Sequence, residues 1–438
     1  MHFKPRKTYT AIALAIAAVG APVSASAATL IGGGSPLVGF VIDQEISLFG
    51  ANPDSLMYLV TSSDTGQVAF VSDDASVFNS NTSGQVAFAN SDSAILPSRL
   101  TSYNSVRKAT DGPLIQIPYI VTPITVPYVN GPTSLTDTLA GPQTTPGQAQ
   151  SLALNDADLC GIYSGAITKW NRVTNPDTNT TYALNKAINV VYRSDNNGTT
   201  ELLTRHLSTV CPALAGSTVR ADGTTVTFVD SEVFTDSFPN HTPPASFTGF
   251  SDSGQLQSAL TTARGFGIAG PSVVGYISPD YANTFLAPSS SSAAVNLSVA
   301  SVRNAMLNVD VAPTFTEATH AVNASTTPVP TTSTAAADPT QWVPYLANPT
   351  TGYPVSGTSQ ILLSQCYADA NVKSTILNFL TAHYVNASYA AILHSYGFDT
   401  VPENYAMQIA NDFISVPRNW TINTLNIGNS TVCAGIGR

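Results

Sequence analysis

Arg193 stands in a run of small and polar residues, Ser194-Asp195-Asn196-Asn197-Gly198-Thr199-Thr200, between the apolar Val190-Val191-Tyr192 and an amphipathic stretch from Glu201 to Leu207. The pattern reads as a strand ending at Tyr192 and a helix beginning near Thr199. The first N–H groups of a helix lack internal partners, and together with the helix dipole they attract anions. Gly198 lets a backbone approach a ligand closely. Thr199 and Thr200 add hydroxyl donors, and Arg193 supplies a planar fork matched to phosphate or carboxylate. Asp195, two residues on, is placed to pair with Arg193 and orient it. The bland alternative is a helix N-cap beside a surface arginine. A nucleotide P-loop is excluded, because no Gly-Lys-Ser/Thr ending follows.

Three other stretches carry similar chemistry. Leu30–Phe40 is a Gly-rich turn after a short strand, Val60–Val68 carries Ser62, Ser63, Thr65 and Gly66, and Ala89–Leu96 carries Ser91, Asp92 and Ser93. Singly, Ser/Asp/Gly loops are ordinary turns. Four of them, each at a strand-to-helix junction, match the place where open α/β sheets bind ligands.

The elements that must position these loops read as alternating strands and helices, hence α/β layers. Ile115–Val129 is β-rich but interrupted by Pro118, Pro123 and Pro127, which suits an edge or a crossover. Ala153–Trp170, Ser374–Val385 and Tyr389–Phe398 have helical spacing, Gly265–Ser278 reads as buried strand, and the Pro/Thr/Ala-rich residues 310–352 read as a long loop. At 438 residues, two lobes or two domains are expected. Apolar residues make up 43% and charged residues only 10%, so Ser, Thr, Asn and Gly must supply the polar surface, a composition that suits export. A net charge of −10 without a basic patch argues against nucleic acid as a partner.

The N-terminus has Lys4, Arg6 and Lys7, then the apolar Ala11–Ala21, then an Ala25-x-Ala27 cleavage signal. This predicts a signal peptide over residues 1–27, since the apolar run is shorter than the ~20 residues of a membrane span. Removal of three cations and no acid takes the net charge from −10 to −13. No Cys precedes Cys160, so no lipid-bearing Cys can follow cleavage, and a soluble periplasmic or secreted protein is expected. Four cysteines in such a protein imply two disulfides. Three connectivities are open. Cys160–Cys211 with Cys366–Cys433 is favoured because it keeps each pair within one lobe. The His residues are scattered and no CxxC occurs, so neither a metal site nor a cofactor is expected.

The four loops together, and several segments beside them, resemble one family: the substrate-binding protein of the high-affinity phosphate ABC transporter, and within it the DING subfamily. The likeness covers nearly the whole mature chain. Tyr192–Leu207 resembles the phosphate loop and Leu159–Asn171 the segment after the first crossover. Ser364–Ala370 and Ile427–Arg438 are similar to DING proteins in particular. The cysteine positions agree with the family's two sequential disulfides. The resemblance implies a type II periplasmic-binding-protein fold, with two α/β lobes around a ligand cleft joined by crossover strands. On that scheme residues 28–120 and 340–438 form lobe one and residues 121–339 form lobe two. It implies inorganic phosphate as ligand, an ABC permease in the inner membrane as partner, and a monomer.

Carried over residue by residue, Ser63 would donate through hydroxyl and backbone, and Asp92 would be the buried carboxylate that accepts the ligand's proton. Arg193 would hold phosphate oxygens with Asp195 orienting it, and Asn197, Gly198 and Thr199 would supply helix-terminus donors. Where the family has Ala-Thr and an apolar residue, this chain has Ser35-Pro36-Leu37. Pro36 has neither hydroxyl nor N–H, which leaves the Leu37 N–H and the Ser35 hydroxyl as donors. Asn197 replaces a small Ser, and the mature start lacks the Asp-Ile-Asn-Gly that names the subfamily. The leading function is exported phosphate binding, for uptake or scavenging. Asp92 would select against sulfate, which brings no proton for the carboxylate to accept. No catalytic residue is expected on that reading. The alternatives are a secreted DING-like phosphatase or phosphodiesterase, with Asp92 as the one candidate base for Ser63 or Thr199, and a surface protein with adhesive use.

Overall fold

The computed structural model describes residues 28–145, 148–282, 297–414 and 424–438. The expected signal peptide, residues 1–27, lies outside them.

The chain forms two lobes, each built on a five-stranded sheet. In the first sheet β1 (Thr29–Gly34) lies between β2 (Ser55–Val60) and β3 (Val86–Ser91), all parallel. The strand Ser356–Ser364 follows, antiparallel to β3 and to the edge strand β4 (Leu114–Pro123). The second sheet has the order Phe247–Phe250, Ile188–Arg193, Ser272–Val274, β5 (Pro127–Val129), Ser298–Val299. The chain passes from β4 to β5 through Ile124 and Thr125. Ile124 N–H donates to the Val355 carbonyl, while Thr125 and Ile277 exchange backbone hydrogen bonds. The prolines behave as their chemistry demands: β4 is an edge strand, and the register shifts at Pro118.

Helices follow the strands at each predicted loop: α1 (Gly39–Phe49) after β1, α2 (Ser63–Ser72) after β2, α3 (Pro97–Val106) after β3, and Gly198–Val210 after Ile188–Arg193. Ser62 caps α2 by accepting the Thr65 N–H, and Asn197 caps the Gly198 helix by accepting the Thr200 N–H. Leu37, Val38, Val41 and Ile42 bury the inner face of α1 against Leu30 and Phe88 of the sheet. In the second lobe Leu256 and Leu260 of the helix Ser253–Gly265 pack on Val129, Val191 and Val273. Cys160 pairs with Cys211 and Cys366 with Cys433, the sequential connectivity expected. Each bond restricts the unfolded chain and contributes about 2–4 kcal/mol.

Two segments differ from the sequence reading. Residues 310–352 are not one loop. Thr314 caps a helix, Phe315–Asn323, whose Ala318 and Val322 pack on Val121 of β4 and on Leu346. The Pro/Thr-rich composition around it masked a short buried stripe. In Gly265–Ser278 only Ser272–Val274 is strand. The first part ends a helix and turns through Gly267–Ala269, leaving Phe266 and Ile268 largely exposed. Apolar character alone did not distinguish a turn from a buried strand there.

Candidate functional site

All four loops converge on Asp92, the residue after β3, which is 1% exposed. Its carboxylate is ringed by serines. Ser35 Oγ donates to Oδ2 at 2.7 Å and Ser359 Oγ to Oδ1 at 2.8 Å. Ser63 Oγ accepts two N–H groups, from Asp92 at 3.1 Å and from Gly198 at 3.2 Å. Its own hydrogen faces Asp92 Oδ2 at a long 3.4 Å, so Ser63 retains a donor that a nearer acceptor would take. Burial pushes the Asp92 carboxyl up from its ordinary range. The hydroxyls of Ser35, Ser359 and Ser63 and the charge of Arg193 act against that shift.

The second lobe contributes the cation. Arg193, the last residue of its strand, is 1% exposed, which removes the surface-arginine alternative. Nε and Nη2 form a bidentate pair with Asp195 at 2.7 and 2.5 Å, and Nη1 donates to Ser253 Oγ at 2.5 Å. The backbone N–H of Arg193 reaches the Tyr276 hydroxyl at 3.1 Å, and Thr200 Oγ1 shares that hydroxyl at 2.8 Å. Asn197 holds the turn from both sides, accepting from Thr200 N–H at 2.9 Å and donating through Nδ2 to the Asp195 carbonyl at 3.0 Å. Its backbone N–H points to the Glu232 carbonyl. Thr199, two residues further on, is buried.

The walls touch where glycine permits it. A Cβ on Gly198 would lie 2.5 Å from Asp92 Cβ and 2.7 Å from Ser93 N, contacts no side chain can tolerate. Ser93 also donates to Glu232 across the cleft, and Phe40 and Tyr281 bring their rings to 5.0 Å. Outside this contact the cleft opens into a cavity of about 520 Å³, lined among others by Pro36, Ser62, Thr65, Asp195, Asp252 and Tyr281.

The structure therefore brings together Ser35, Ser63, Asp92, Arg193, Asp195, Gly198 and Thr199. Leu37 lies beside them, but its N–H is directed at Ser35 Oγ, 3.0 Å away. Asn197 acts on the turn rather than on the space between the lobes. Ser359, Ser253, Tyr276 and Glu232 escaped the sequence reading. Ser253 was within reach: Phe247–Leu256 repeats the strand, small-residue loop and helix pattern of the other loops, with Asp252 as cap. Ser359 sits in mid-strand, where nothing local marks it. Among the described residues no group of three or more His, Cys, Asp or Glu is placed to hold a metal ion.

Residues 20–381 match the model of the PBP superfamily domain. The chain is 31% identical over 442 residues to alkaline phosphatase L of Pseudomonas aeruginosa strain PAO1, covering 99% of each. Among solved structures it resembles the high affinity periplasmic phosphate-binding protein PfluDING bound with phosphate, at 28% identity and a TM-score of 0.71. The match covers 94% of this chain and 99% of that one. The phosphate-binding protein from Stenotrophomonas maltophilia gives 29% identity and a TM-score of 0.69, covering 94% and 99%.

Proposed function

The chain belongs to the PBP superfamily and groups there with the DING-like phosphate-binding proteins, and from that premise we propose that it is an exported protein that binds inorganic phosphate between its lobes. The observation that carries the reading is the pairing of opposites across the cleft: a buried carboxylate ringed by hydroxyls on one wall, a buried arginine held by a carboxylate on the other. Arg193, the Ser63 hydroxyl and the Thr199 N–H meet the phosphate oxygens, while the Gly198 N–H, which donates to Ser63 Oγ, turns the Ser63 hydrogen toward the ligand. Asp195 keeps the guanidinium planar to the ligand, and Ser35 and Leu37 complete the first wall. Asp92 accepts a hydrogen bond from the proton that phosphate keeps near neutral pH. Sulfate has no such proton, and a buried charged acceptor left facing an anion costs at least about 1–3 kcal/mol. Local donors and dipoles neutralise the ligand, so a net negative protein can hold an anion. No helix among the described residues is long and apolar enough to cross a membrane. In this reading the mature chain, cleaved after Ala27, works as a monomer in the periplasm or outside the cell and delivers phosphate to an ABC permease.

Calorimetric titration of the refolded mature chain with phosphate, with and without excess sulfate, tests this. Tight one-to-one binding indifferent to sulfate is expected, and absence of phosphate binding rejects the proposal. The similarity to alkaline phosphatase L over 99% of both chains favours a second reading, in which Ser63 Oγ bonds to the phosphorus of an ester as the P–O bond to the alcohol breaks, and Asp92, facing Ser63 at 3.4 Å, takes its proton and passes it to the departing alkoxide. That reading requires turnover of a chromogenic phosphate ester, abolished in Asp92→Asn.

A further inference from the structure

The hydroxyls around Asp92 have a fixed polarity. Leu37 N–H donates to Ser35 Oγ, so the Ser35 hydrogen is directed to Asp92 Oδ2. On the opposite oxygen, Ser359 Oγ lies 2.8 Å away and is itself fully buried. Ser359 comes from the strand Ser356–Ser364 of the first sheet, which supplies no other group to the ligand set. Two hydroxyls that donate to a carboxylate stabilise its ionised form.

We propose that Ser359, assisted by Ser35, is a positioning residue that holds Asp92 as an acceptor-only carboxylate, and that this pair of hydroxyls sets the discrimination between oxyanions that carry a proton and those that do not. The inference rests on the phosphate-binding reading. Asp92 would otherwise be prone to protonation, because burial is the largest influence on it. The other charged and titratable groups whose fields overlap with that of Asp92 are Arg193 of the second lobe, Asp280 of the short helix Pro279–Ala282, Glu232 across the cleft and Tyr58 of β2. Only Arg193 is cationic among them. A protonated Asp92 would be a donor, and a donor at that position welcomes sulfate as readily as phosphate. Loss of the Ser359 hydroxyl raises the pH at which Asp92 takes up its proton, so sulfate binding should then emerge as the solution is acidified.

The test is sulfate displacement of phosphate from the full refolded mature chain, followed by calorimetry from about pH 8 down to about pH 5. In the unsubstituted chain, sulfate should compete weakly throughout. In Ser359→Ala, and more mildly in Ser35→Ala, the sulfate-to-phosphate affinity ratio should rise by about tenfold or more on acidification, the effect of about one unit in the carboxyl pKa. Ser359→Thr, which keeps the hydroxyl, should follow the unsubstituted chain. If both alanine variants bind phosphate yet keep the unsubstituted ratio at every pH, this inference is overturned and the phosphate reading stands. If the unsubstituted chain binds no phosphate, both fall.

Discussion

On the first lobe's wall the central group is a carboxylate, Asp92, gripped by Ser35, Ser63 and Ser359. On the second lobe's wall it is a guanidinium, Arg193, gripped by Asp195 and Ser253. Both groups sit at strand ends beside helix N-termini, and both are almost fully buried. They differ in what holds them. Burial pushes the Asp92 carboxyl up, and the neutral hydroxyls that hold it offset that shift only in part. Arg193 is held by an opposite charge in a bidentate fork, which fixes geometry as well as ionisation. One wall is thus suited to reading a proton and the other to supplying attraction.

Substitutions at each wall should separate these tasks. Arg193→Ala should have the largest effect, weakening phosphate and sulfate together by about 2–5 kcal/mol, because it also leaves Asp195 without its partner. A calorimetric titration that finds affinity unchanged would remove Arg193 from the site. Gly198→Ala acts where the walls meet. Its methyl would overlap Asp92 and Ser93, so affinity should drop by about 1–3 kcal/mol with the fold retained by circular dichroism. Asp92→Asn should alter selectivity more than affinity, narrowing the phosphate–sulfate gap by about 1–3 kcal/mol. A constant ratio would refute the proton-reading role.

The smallest effect concerns a second buried carboxylate. Asp280, near the second lobe's wall, is pushed up to about 8 by burial, with its bond from Ser278 opposing the shift. A carboxyl raised in the folded state holds its proton more tightly there than when unfolded. It therefore costs nothing in acid below its unfolded value and lowers stability as pH rises toward 8. Asp158 and Glu201, each raised to about 7 mainly by burial, act in the same direction. Ligand-free Tm should rise on going from pH 8 to pH 5 on their account. Asp280→Asn should raise Tm at pH 8 by about 2 °C or more, with the gain gone at pH 5. Equal Tm shifts at both pH values would mean that Asp280 is ionised throughout.

Much of this architecture was legible in the chain. Strand-loop-helix grammar located the loops at Leu30–Phe40, Val60–Val68, Ala89–Leu96 and Arg193–Thr200, since each combines a β-rich run, small residues and a following helix, capped by a side chain at Ser62 and Asn197. The alternation of strands and helices likewise led to the α/β class, and four cysteines in a chain expected to be exported led to two disulfides. The helix Phe315–Asn323 was lost in its Pro/Thr-rich surroundings, and the exposed turn Gly267–Ala269 was mistaken for strand, because hydrophobicity over a few residues carries no period. At the site, Arg193 was visible as the odd charge beside a small-residue loop, and Asp92 was singled out by the family resemblance.

What local sequence determined is the set of parts: dihedral preference, capping and burial act over a few residues and are written there. Only the tertiary structure decided how the parts face each other. Ser359 and Asp92 are brought together by antiparallel pairing between the strand Ser356–Ser364 and β3, Gly198 matters because it meets Asp92 from another lobe, and Leu37's N–H is turned to Ser35 rather than outward. Contacts of that kind depend on register and on the closing of two lobes, and neither leaves a mark on neighbouring residues.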